Sequence, residues 1–111
     1  MTIVGTPQIP IVSDLLVAVK LALRVNGTTF DSEIEGVIAA AKSDLKMSGV
    51  KAAAVDAASP DALIVRAVVC YAKAEFGLDN QDSEKYMASY RSLETHLALS
   101  TEYQEPPVVT P

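Results

Sequence analysis

Apolar residues recur along this chain at three- and four-residue intervals, the pattern of helices that bury one face, and nowhere do they alternate as a half-buried strand requires. Leu15, Leu16, Val19 and Leu23 predict a first helix from about Asp14 to Val25, capped by Ser13 and stopped at Asn26-Gly27. Phe30, Ile34, Val37, Ile38, Ala41 and Leu45 predict a second, opened by Thr29 or Asp31 and closed near Met47 by Gly49. The run from Ala62 to Phe76 is apolar on almost every side, so it needs partners all round. Ser59 suits its N-cap, Pro60 its first position and Gly77 its stop. Tyr86, Tyr90, Leu93 and Leu97 predict a last helix from about Ser83 to Leu97 or Leu99, with Lys85, Arg91 and Glu94 on its polar side.

Between the helices, Val50 to Ala58 reads as a connection. Pro7 and Pro10 make the first residues an extended arm, and Pro106 and Pro107 forbid helix in the tail, which stays extended unless something docks it. The expected organisation is therefore an arm over 1–12, a helical domain over 13–100 and a tail over 101–111. The fold class is all-α, a small bundle of four main helices with extended N- and C-terminal arms. A chain of 111 residues supports one core without staples.

Composition narrows the core. Half the residues are apolar, yet there is no Trp and there are few Phe and Tyr, so Ala, Val, Leu and Ile must fill the interior and let helices approach closely. The single cysteine, Cys70, excludes an internal disulfide and, in its apolar setting, reads as a small buried hydrophobe. No signal-peptide pattern and no membrane-length apolar run is present, so the expectation is a soluble intracellular protein.

Charge is unevenly placed. Residues 1–73 balance seven acids with seven bases, whereas residues 74–111 carry seven acids against Lys85 and Arg91 and hold the whole net charge of −5. Such a surface repels a phosphate backbone and argues against a groove-reading DNA binder. It suits a wall that DNA slides past.

Catalytic chemistry is thin. His96 is the only histidine and sits near the end of the last helix, where it faces water. Glu33 and Glu35 are two apart on a helix, so they diverge and form no acid–base dyad. The run Leu78 to Glu84 lacks the internal glycine and distal glutamate of a calcium loop. No catalytic residue, metal site or cofactor is expected. Tyr71, Tyr86 and Tyr90 line the seam of the last helical hairpin, as core packing first, with Tyr86 and Tyr90 also candidates for a subunit contact.

The order of these pieces resembles the head–tail connector (adaptor) proteins of long-tailed bacteriophages. The resemblance is carried by the acidic opening at Phe30-Asp31-Ser32-Glu33, the helix Ile34 to Leu45, the turn Met47 to Val50, the helix Ile64 to Gly77 with Tyr71, and the helix Tyr86 to Leu97. It covers roughly residues 13–100. It implies a structural protein of the virion, made in the host cytoplasm, that forms a ring, commonly about twelve-fold, under the portal protein. That ring extends the DNA channel without binding DNA specifically and receives a stopper or tail completion protein. Interface candidates are Tyr86, Tyr90, Tyr103, Glu102 and Glu105. The rival reading is an acidic helical regulator, antitoxin-like, that binds a basic protein.

Overall fold

The computed structural model describes residues 14–76, 82–100 and 102–104. The chain forms five helices: α1 (Asp14–Leu23), α2 (Asp31–Met47), α3 (Ala52–Val55), α4 (Ala62–Glu75) and α5 (Ser83–Leu99). The four main helices match those expected from the apolar periodicity. The extra one, α3, is a single turn inside the segment expected as a connection. Among the described residues the one extended pairing is an isolated antiparallel bridge between Val50 and Gln104.

Local chemistry explains where the helices end. At the end of α2, Gly49 takes a φ of 109°, its N–H reaches Lys46 O at 3.1 Å and the Val50 N–H reaches Leu45 O at 3.1 Å, which satisfies the last carbonyls by a Schellman turn. α1 ends the same way without glycine. Arg24 takes a φ of 60°, its N–H donates to Leu21 O at 3.2 Å and the Val25 N–H donates to Lys20 O at 3.0 Å. The helix therefore stops at Leu23, ahead of the expected Val25 and of Asn26-Gly27. Lys20 holds this turn down, since its ammonium pairs with Asp31 at 2.7 Å and donates to Gly27 O at 2.5 Å.

The start of α4 corrects the sequence reading. Asp61, not Ser59, is the N-cap: its carboxylate accepts from the Leu63 N–H at 3.2 Å, and its carbonyl accepts the first helical bond from Val65. Pro60 precedes the cap instead of opening the helix. Ser and Asp cap about equally well, so a tertiary contact decides, and the Ser59 hydroxyl donates to Asp14 on α1 at 2.8 Å. The expected Ser13 cap and Gly77 stop lie outside the described residues.

Packing follows from composition. α4 is the hub, packed against α5, α1 and α2, and it buries Ile64, Ala67, Val68, Cys70, Ala72 and Ala74. Its small residues let three helices close on one. α1 contributes Leu15, Leu16 and Val19, α2 contributes Ile34, Ile38, Ala41 and Leu45, and Val50 and Val55 plug the core beneath α3. At the end of α4, Phe76 meets Phe30 edge-on with centroids 5.8 Å apart, which closes the α2–α4 corner.

Candidate functional site

Two features stand out beyond the apolar core. The first is a polar knot between α2 and α5. Tyr90 is fully buried and stacks edge-to-face on Tyr71, with centroids 5.0 Å apart. Its hydroxyl donates to Asp44 Oδ2 at 2.6 Å and lies 3.2 Å from Glu94 Oε2. The Ser48 hydroxyl donates to the same Glu94 oxygen at 2.6 Å, with Asp44 O as a second acceptor at 3.0 Å. Two hydroxyl hydrogens face four such contacts, so with both carboxylates ionised half would lack a hydrogen. Burial raises the Glu94 carboxyl above its ordinary value and so favours a proton there, which supplies a third.

The electrostatics agree with that count. Burial, followed by the bond to Asp44, raises the Glu94 carboxyl above its ordinary value. The bond from Glu94, followed by that from Tyr90, holds Asp44 below its own. Burial also raises both Tyr90 and Tyr71, so their rings stay neutral. Glu94 is 8% exposed, the one buried charged residue among the described residues, which corrects its assignment to the polar side of the last helix. A signal for it was present: Glu94 is four residues after Tyr90 and three before Leu97, within the apolar stripe. Asp44 lies 46 residues from Tyr90, so nothing local could pair them.

The second feature is the docked start of the tail. The Lys51 N–H donates to Tyr103 O at 2.5 Å, the Gln104 amide donates to Ala98 O at 2.8 Å, and the Tyr103 hydroxyl donates to Asp61 at 2.5 Å. That bond lowers Asp61 and pushes Tyr103 up to about 12. The α4 cap, the α2–α3 junction and the tail thus meet at one place.

Of the interface candidates, Tyr90 is enclosed in the core, which is its packing role. Tyr103 is half-buried against Asp61, and Glu102 is exposed. Tyr86 is half-buried beneath the Lys73 ammonium, 5.0 Å from its ring centre, and Glu105 lies outside the described residues. His96 is exposed, and no cluster of metal-ligating side chains exists among the described residues. Grooves indent the surface among the described residues. One, of about 630 Å³, runs between α4 and α5 past Leu63, Arg66, Cys70 and Leu93. Another, of about 670 Å³, lies where α1, α2 and α4 converge around Leu23, Val25, Phe30 and Phe76.

The sequence model of the family described as phage connector protein matches residues 15–104, which spans α1 to the docked tail. The chain belongs to the phage connector family. No curated protein and no solved structure matches it. A connector family is a structural one, and its members work through surfaces that meet other head and tail proteins. No helix among the described residues is long and apolar enough to cross a membrane.

Proposed function

We propose that this connector assembles as a ring beneath the portal of a tailed phage, extends the DNA channel and presents a platform for the stopper or tail completion protein. The observation that carries this reading is the family match across the whole helical domain. The charge distribution supports it: acids dominate residues 74–111, and such a surface passes DNA without holding it. Tyr86, Glu102, Tyr103 and Glu105 are the side chains we assign to contacts with neighbouring proteins. No site for catalysis enters this reading.

The test is a pull-down of the purified chain with the portal ring of the same phage, followed by negative-stain imaging. An added ring on the portal is the expected outcome. Absence of binding, with and without packaged DNA, overturns it in favour of an acidic regulator. Deleting residues 101–111 is expected to weaken portal or tail attachment, and unchanged attachment removes the tail from the mechanism.

A further inference from the structure

α1 is more apolar than its place in the fold requires. Its inner side, Leu15, Leu16 and Val19, is buried, while Val17 and Leu21 on the outer side are 46% and 75% exposed. Its only charges are Asp14 and Lys20, and Lys20 is turned to Asp31 and Gly27. A helix that is apolar on all sides is ordinarily covered on all sides. Asp14, Val17 and Leu21 stand at i, i+3 and i+7, so they form one outward ridge with an acid at its head.

The α4–α5 groove has the complementary character. Leu63, Cys70 and Leu93 supply apolar lining, Ser89 and Ser92 a polar rim, and Arg66 a cation that makes no ion pair with any described residue. The lengths agree, since Asp14 to Leu21 and Ala62 to Cys70 each span roughly 10–12 Å at about 1.5 Å per residue. We infer that the α1 ridge of one copy seats in the α4–α5 groove of a second copy, with Asp14 facing Arg66. The inference rests on the ring reading above and names the surfaces that build the ring.

The two patches share no residue, so each copy gives its ridge to one neighbour and its groove to another. A contact of that heterologous kind propagates from copy to copy and closes as a ring where the rotation permits. A ridge-to-ridge contact would instead stop at a dimer and leave Arg66 without a partner.

The experiment uses the full chain carrying Cys70→Ser, with Asp14→Cys and Arg66→Cys together or singly, mixed with the portal ring and mildly oxidised. The double variant is expected to give a ladder of disulfide-linked multimers on a non-reducing gel, and each single variant none. Charge reversal gives an independent readout: Asp14→Arg or Arg66→Asp alone is expected to reduce ring assembly at least about tenfold, about 1.4 kcal/mol, and the pair together to restore it. Rings on the portal without a ladder and without charge-reversal rescue overturn the ridge-and-groove contact while sparing the connector reading. Dimers alone from the Asp14→Cys variant would show a ridge-to-ridge contact and overturn it too. Failure of the unaltered chain to form any ring on the portal overturns both.

Discussion

Tyr90 on α5 donates its hydroxyl to Asp44 on α2 across 2.6 Å, between two helices that share few other contacts. Most of the apolar contact of α5 is with α4, so this bond and its neighbours at Glu94 and Ser48 fix how α5 is rotated against α2. Tyr90→Phe keeps the ring on Tyr71 and removes only the hydroxyl. It takes the Tyr90 donor from Asp44, and the cost of such a buried loss is about 1–3 kcal/mol. Urea denaturation should show a lower midpoint with an unchanged slope. An unchanged midpoint would mean that water replaces the hydroxyl at no cost.

The opposite shifts of Glu94 and Asp44 make the knot sensitive to pH. Glu94 is raised from its ordinary 4.5, so its contribution is fully present below 4.5 and is lost as pH rises through its raised value. Asp44 is lowered from 3.8, so its contribution is fully present above 3.8 and is lost as pH falls through its lowered value. The two overlap fully only between 3.8 and 4.5. Glu94→Gln keeps a neutral donor in place at all pH. The difference in unfolding free energy between the native chain and this variant should therefore shift against the native chain as pH rises above 4.5 and then level off. A difference that stays flat from pH 4 to 8 would show that folding leaves the Glu94 carboxyl at its ordinary value.

Most of the architecture is legible in the apolar spacing, and the exceptions have separate causes. α2 and α5 each hold seventeen residues, long enough for a 3.6-residue period to declare itself, whereas the four residues of α3 cannot show a period at all. Ser59 and Asp61 compete for one cap with similar intrinsic strength, and the winner is set by the contact of Ser59 with Asp14 on a distant helix. Glu94 escaped because a carboxylate is assigned to solvent by default, and only the combination of Tyr90, Ser48 and Asp44 reverses that default. The docking of residues 102–104 was equally hidden, since it depends on free backbone groups at Val50 and Lys51.

Arg24 sits in the left-handed region at the end of α1, where a side chain costs roughly 1 kcal/mol and glycine costs almost nothing. Arg24→Gly should raise stability by about 0.5–1 kcal/mol, or a few degrees in Tm for a chain of this size. A fall in Tm would show that the arginine side chain makes stabilising contacts worth more than its backbone strain.

The tail dock is testable at one amide. The Lys51 N–H is closed by Tyr103 O, and Tyr103 is held in place by its hydroxyl on Asp61. Tyr103→Phe removes that anchor and leaves the ring. Hydrogen exchange at the Lys51 amide should accelerate severalfold while the amides of Ala67 and Val68, inside α4, keep their protection. Unchanged exchange at Lys51 would show that the Val50–Gln104 bridge holds the tail alone.

Tyr86 and Tyr90 lie one turn apart on α5 and separate core from contact. Tyr90 is fully buried, and its truncation empties the seam against Tyr71 as well as cutting the knot, so Tyr90→Ala should cost about 3–5 kcal/mol. Any loss of ring assembly in that variant follows from unfolding. Tyr86 is half-buried and its described ring contact is with Lys73, a surface interaction worth about 0.5–1 kcal/mol. Tyr86→Ala should therefore hold its Tm within a few degrees of the native chain while losing affinity for the portal-bound ring. Measured together by thermal unfolding and by portal pull-down, a variant that melts normally and fails to assemble assigns Tyr86 to a subunit contact. One that melts normally and assembles fully returns it to the solvated edge of the hairpin.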